Sequence, residues 1–404
     1  MTSTRLVRDQ GVTAAAGFRA AGIAAGIKKS GAPDLALVFN EGPDYSAAAV
    51  FTRNQVKAAP VLWTSQAITT GRLRAVLLNS GGANACTGPL GFQDTHATAE
   101  AVAATLSNWG TETGPIEVAV CSTGLIGDRL PMEKVLAGVT EIVHEIHAGL
   151  LGGDDAARAI MTTDTVPKQV ALHHTPASGE NWTLGGMAKG AGMLAPSLAT
   201  MLVVLTTDAV ADPVALDGAL RKAAARTFDR LDVDGSSSTN DTVLLLASGA
   251  SEIRPSQADL DDAVLRVCED LCAQMQADAE GVTKRVLITV TGAPSEDDAV
   301  VAARLVARDS LVKTAMFGSD PNWGRVLAAV GMSPFPLDPS RISVSFNGSP
   351  VCIDGAGAPG ARDVDLSGPD IEVTIDLDLG DGRATIRTTD LSHAYVEENS
   401  AYSS

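Results

Sequence analysis

Short apolar runs separated by glycine-rich turns fill the first half of the chain: "DLALVFN" at 34–40, "AAAVFTRN" at 47–54, "RAVLLNSGGANACTG" at 74–88 and "IEVAVCSTGLIG" at 116–127. Each reads as a buried strand leading into a turn, and the continuous run Met201 to Leu205 reads the same way. Helical spacing appears between them, around residues 132–150. Asp212 followed by Pro213 predicts a capped helix over 213–226. A helix over 257–279 would place Leu260, Val264, Cys268, Leu271, Cys272 and Met275 on one stripe. A strand "RVLITVTG", a helix from about 296 to 314 and two hairpin-like segments follow, the later one turning at "GDG", 380–382. Strands this numerous and irregularly connected do not read as a doubly wound sheet. The expected class is therefore α/β, a layered α/β sandwich with a smaller α/β region from about 285.

The 404 residues allow two or three domains, and 45% hydrophobic with 19% charged residues is ordinary for an enzyme that folds without staples. A net charge of −18 without Lys/Arg clusters argues against nucleic acid or an anionic membrane as main partner. A small-molecule substrate is the default. Five scattered cysteines fit reduced thiols better than a disulfide framework. Arg19 interrupts the alanine-rich N-terminal stretch before any signal-peptide core forms, and no segment has the length of a membrane span, so a cytoplasmic location is expected.

Several familiar motifs fail. "DVDGSSSTNDT" starts like a calcium loop at Asp232 and Asp234, but Ser237 and Val243 occupy the positions that need glycine and glutamate. Cys268 and Cys272 lie on an apolar stripe, and the histidine pairs 144/147 and 173/174 have no acidic or thiol partner, so no metal site is expected; the histidines read as surface residues. "GGANACTG" and "STGLIG" lack nucleotide-loop spacing, and Cys121–Ser122 lacks a GxSxG elbow.

Thr200 opens an apolar run, and alone it is a strand residue. The glycines of "KGAGMLAP" before it, and the small Ala199, admit a second reading. A threonine oxygen can attack the carbonyl just upstream, exchange the amide for an ester and, after hydrolysis, become an N-terminal residue. Its freed α-amine, with a reference pKa of about 7.7–8.0, is then a base attached to its own nucleophile. Such chemistry needs donors for an oxyanion, and the Thr123 side chain and Gly124 backbone N–H are candidates.

"STGLIG" at 122–127, "MTTDTVPK" at 161–168, "KGAGM" at 189–193, "ATML" at 199–202, "EGVTK" at 280–284 and "DPNWGR" at 320–325 occur in an order that resembles the ornithine acetyltransferases, the glutamate N-acetyltransferases of cyclic arginine biosynthesis. The likeness extends from "GVTAAAGFRAAGIAAGIK" at 11–28 to "DLSHAYVEENSAYSS" at the end. Departures at Gly82, Ala191 and Ser236 touch no position with an implied role; Glu398 stands where an apolar residue is common. The resemblance implies a precursor cut between Ala199 and Thr200 into an α chain, 1–199, and a β chain, 200–404, associated as α2β2. It further implies transfer of acetyl from N2-acetylornithine to glutamate through an acetyl ester on Thr200, with Thr123 and Gly124 as oxyanion hole. Thr162, Lys189, Thr200, Glu280, Asn399 and Ser404 match its substrate contacts. Lys189 suits a substrate α-carboxylate and Glu280 the ornithine side-chain ammonium. No metal or cofactor is implied, and acetyl-CoA stays open as a co-substrate. The competing readings are a self-processing aminopeptidase or amidohydrolase, and a non-catalytic, uncleaved binding protein.

Overall fold

The computed structural model describes residues 3–175, 181–194 and 201–401, which form two compact units. The first comprises Met1–Ala191, Ser197–Phe228 and Ser237–Met275; the second comprises Gly192–Pro196, Asp229–Ser236 and Gln276–Ser404.

The first unit is a four-layer sandwich. Its larger sheet has the order Ser3–Val7, Lys168–Thr175, Trp182–Lys189, Leu202–Thr207, Thr242–Ala247, Ser46–Phe51, and only Leu202–Thr207 and Thr242–Ala247 pair in parallel. Its smaller sheet runs Phe18–Ile23, Leu35–Asn40, Ala75–Asn79, Val118–Ser122. Val38, Val76, Leu78 and Ala119 of the smaller sheet share one core with Met187, Leu202, Val204, Leu244 and Leu246 of the larger. The opposite face of the smaller sheet, with Leu35, Leu37, Leu77 and Val120, packs under Trp63, Val102, Leu106, Val139 and Ile142 from helices Ala59–Ala67, Gly88–Asn108 and Met132–Glu145. On the far face of the larger sheet, a Cβ built on Gly186 would meet Val267 and Leu271 of helix Gln257–Ala277. Strands covered on both faces bury both sets of side chains, which is why Leu202–Leu205 and Val243–Ala247 run continuously apolar with no alternation. The expected layered α/β class is the observed one.

The stripe from Leu260 to Met275 is fully buried, and Asp212 caps Pro213–Arg226 by accepting from the Ala215 N–H at 2.9 Å. The helix expected over 132–150 ends at Glu145, and a separate helix, Leu150–Ala159, begins after Gly149, whose φ of 97° a helix cannot continue. Between them His147 pairs with Ala20.

The second unit holds a six-stranded sheet in the order Ala356–Gly357, Ser349–Ile353, Ser343–Phe346, Asp370–Asp376, Arg285–Ala293, Gly382–Thr389. Val286, Ile288, Val290, Val373, Ile375 and Ile386 pack there with Ala299, Ala302, Ala303 and Val306 of helix Glu296–Arg308. Two expectations are corrected. The helix over 296–314 is two helices, because Asp309 caps Ser310–Phe317 by accepting the Val312 N–H at 2.9 Å. The segment turning at 380–382 is no hairpin: Arg285–Ala293 lies between its two strands, parallel to one and antiparallel to the other.

Candidate active site

The two sheets of the first unit bring "STGLIG", "MTTDTVPK" and "KGAGM" together. Thr123 follows the last residue of Val118–Ser122, and its N–H is committed to the Asn79 carbonyl at 2.9 Å. Lys189 ends strand Trp182–Lys189 with 2% of its surface exposed. Its Nζ donates to Thr162 Oγ1 at 2.7 Å, lies 3.4 Å from Thr123 Oγ1 and 3.8 Å from Asp164 Oδ2. Gly124 has φ of +130°, and a Cβ there would stand 2.8 Å from the Gly82 backbone nitrogen, so only glycine fits this turn.

Asp164 and Lys168, which the sequence reading did not single out, organise this cluster. Asp164 Oδ1 accepts from Lys168 Nζ at 2.6 Å and from the Gly190 N–H at 2.7 Å, while Oδ2 accepts from the Thr162 N–H at 3.0 Å. Burial resists ionisation of this carboxyl, but the Lys189 and Lys168 ammonium groups and these hydrogen bonds outweigh it and hold it well below the usual carboxylate range. Half-buried Lys28 donates to the Met161 carbonyl at 2.7 Å; burial lowers its pKa, Asp34 opposes the shift, and Lys189 adds to it.

"SSSTNDT" at 236–242 is structural. Asn240 Nδ2 donates to the Ala83 carbonyl at 2.6 Å and the Ser122 carbonyl at 2.8 Å, tying the start of Thr242–Ala247 to the residue before Thr123. Fully buried Asp241 accepts the Met201 N–H at 3.1 Å, and the Thr242 N–H donates to the Met201 carbonyl at 3.2 Å. Ala199, Thr200 and Ser404 lie outside the described residues.

Two further expected residues belong to the second unit. Glu280 Oε2 accepts from Asn399 Nδ2 at 3.0 Å, and a Cβ on Gly192 would stand 2.3 Å from the same carboxylate, so a larger residue there would oblige the Glu280 side chain to move. Burial raises the Asp234 pKa despite hydrogen bonds from Ser236 and Leu194, and the Glu280 charge adds to the shift. Burial, with the charges of Asp234 and Glu280, pushes the Tyr395 hydroxyl up to about 12.

The calcium-loop aspartate Asp232 is instead buried against Arg308 at 2.7 Å. His174 departs from the surface reading: it is buried with its ring 5.1 Å from that of Trp182. Burial pushes the Cys121 thiol up to about 12. Among the described residues there is no group of three or more His, Cys, Asp or Glu arranged to hold a metal, and no helix long and apolar enough to cross a membrane.

The model of the ArgJ family matches residues 19–404. The arginine biosynthesis bifunctional protein ArgJ of Mycobacterium tuberculosis is 80% identical over 402 residues, covering 100% of this chain and 98% of its own. That of Streptomyces avermitilis is 57% identical over 396 residues, covering 97% of this chain and 100% of its own. A solved structure of ornithine acetyltransferase complexed with ornithine, from Mycobacterium tuberculosis, is 78% identical with a TM-score of 0.47, covering 50% of this chain and 100% of that one. By family model and by relatives alike along almost its whole length, the chain belongs to the ArgJ family.

Proposed function

We propose that this protein is an arginine-biosynthesis acetyltransferase that moves the acetyl group of N2-acetyl-L-ornithine to L-glutamate through an ester on Thr200. The precursor cleaves itself between Ala199 and Thr200, and chains 1–199 and 200–404 stay together as a cytoplasmic α2β2 assembly. The Thr200 hydroxyl attacks the acetyl carbonyl while its α-amine takes the proton. The tetrahedral oxyanion is met by the Thr123 hydroxyl and the Gly124 N–H, then collapses; ornithine leaves with a proton on its nitrogen. The glutamate amine attacks the waiting ester, and N-acetylglutamate departs as the Thr200 hydroxyl is restored. Thr162, Lys189, Glu280, Asn399 and Ser404 contact substrate, Glu280 receiving the side-chain ammonium. This chemistry asks for no metal or cofactor; acetyl-CoA is kept as a candidate second donor, checked by a direct assay with glutamate.

The observation that carries this reading is the convergence of buried Lys189 and Thr123 with half-buried Thr162 at the end of the strand leading toward "ATML". Denaturing mass spectrometry with an acetyl-transfer assay tests it. The wild type should give two chains, 1–199 and 200–404, and label glutamate from acetylornithine; Thr200→Ala should remain one inactive chain. Free acetate in place of acetylglutamate would favour the hydrolase reading. An intact, inactive wild type would overturn the proposal.

A further inference from the structure

We propose that Asn240 is a positioning residue of the acetyl-transfer step, its amide holding the Thr123–Gly124 turn in register with the chain that follows Thr200. The inference rests on the reading above, in which Thr200 is the nucleophile and Thr123 and Gly124 meet the oxyanion.

The two halves of that chemistry come from different layers of the first unit. Thr123 follows Val118–Ser122 of the smaller sheet, whereas Met201 leads into Leu202–Thr207 of the larger one. Apolar side chains fill the space between the sheets, and burial of this kind is not directional. Hydrogen bonds do fix lengths and angles. Asn240 and Asp241 supply them side by side, where the chain enters Thr242–Ala247. Asn240 Nδ2 spends its two hydrogens on the Ser122 carbonyl at 2.8 Å and the Ala83 carbonyl at 2.6 Å. Ser122 is the residue before Thr123, and Ala83 lies in the loop stitched to the turn, its N–H donating to the Leu125 carbonyl at 3.0 Å. Asp241 serves the other layer, with Oδ1 accepting the Met201 N–H at 3.1 Å. One peptide bond thus separates a grip on the oxyanion turn from a grip on the residue after Thr200.

The surroundings of the amide settle its orientation. Asn240 is 3% exposed, and its Oδ1 accepts from the Thr239 hydroxyl at 2.6 Å, so the NH2 must face the two carbonyls. The backbone on either side is fixed as well, the Thr239 carbonyl accepting from the Ala58 N–H and the Asp241 carbonyl from the Thr52 N–H, both at 3.0 Å. Neither leucine nor an ionised aspartate, the side chains nearest in shape, carries a donor for the Ser122 and Ala83 carbonyls.

The test uses the self-cleaved enzyme, with cleavage followed by denaturing mass spectrometry and binding sites counted by ornithine calorimetry. Ornithine has no acetyl group, so its affinity does not sense the alignment of nucleophile and oxyanion donors. A misplacement of about 1 Å can cost ~10²-fold in rate. Asn240→Ala should therefore slow acetyl-transfer turnover per site by ~10-fold or more and leave the ornithine dissociation constant within about twofold. A role confined to holding the fold together would lower the number of sites and leave turnover per site as it was. In a Thr123→Ala background the placement of that hydroxyl no longer counts, so the same substitution should cost at least about threefold less than it does alone. Should Asn240→Ala not accumulate as folded, cleaved chains, Thr239→Val, which frees the amide to rotate without removing it, is read by the same measurements and should lower turnover per site by about threefold or more at unchanged ornithine affinity. Turnover per site kept, ornithine binding weakened as much as turnover, or losses that simply multiply in the cycle would overturn the inference. Absence of acetyl transfer in the wild type would instead refute the proposed function, which separates the two failures.

Discussion

Replacing Asp164 by asparagine removes one charge while keeping the side chain's shape, and every near neighbour of that side chain is a donor. Lys168 Nζ and the Gly190 N–H meet Oδ1 at 2.6 and 2.7 Å; the Thr162 N–H meets Oδ2 at 3.0 Å and Lys189 stands 3.8 Å from it. An amide can satisfy one of these sides only, and its NH2 must face donors on the other. Breaking a buried charge pair of this kind costs about 3–5 kcal/mol. Equilibrium urea denaturation followed by fluorescence, wild type against Asp164→Asn, reads it directly. The pH dependence is a sharper check. Burial opposes the charge, but Lys189 and Lys168 hold the folded carboxyl below its unfolded value, so its contribution is complete above the unfolded pKa of about 3.9 and is lost as pH falls toward the folded one. The difference between the proteins should be level from pH 7 to 5 and shrink by about 1.4 kcal/mol per pH unit below pH 4. A difference under about 1 kcal/mol at pH 7, or one that does not change below pH 4, would refute the role given to this carboxylate.

Gly124→Ala must push a Cβ against the Gly82 backbone at a φ of +130°, so transfer should fall by ~10²-fold or more; wild-type kinetics in a folded variant would remove Gly124 from the oxyanion site. Under native conditions an aromatic disulfide reagent should modify one thiol per 404 residues, exposed Cys86, and all five after denaturation, since Cys121, Cys268, Cys272 and Cys352 are buried. Burial lowers the Lys313 pKa to about 8, so the folded protein sheds this proton before the unfolded chain does, and stability should gain from this group between pH 8 and about 10.5. Lys313→Met should lose that gain in a pH series of unfolding midpoints.

Elements with strong local signals were legible: the Asp212–Pro213 start, the buried stripe of 257–277 and the doubly covered strands. Those that failed were decided by partners distant in sequence. Apolar spacing runs on past Glu145, and what ends the helix is the pairing of His147 with Ala20 and the backbone turn at Gly149. Nothing near "GDG" announces that Arg285–Ala293 will insert between its flanking strands. The site divides the same way. Thr123, Thr162 and Lys189 were found through ordered motifs, whereas Asp164 and Lys168 look like solvated charges until folding buries them both. Asn240 and Asp241 sat inside a stretch tested only for calcium, and their work is to hold carbonyls and an N–H far away in sequence or across a strand pair.

Strand ends ordinarily fray, and their amides exchange with solvent faster than those of the interior. The segment beginning at Met201 is built otherwise, since a buried carboxylate grips its first N–H and a neighbouring strand grips its first carbonyl. In deuterated buffer the Met201 amide should therefore exchange as slowly as those of Val203 and Leu205. A break between Ala199 and Thr200 would remove none of the hydrogen bonds that hold Met201 and the strand after it.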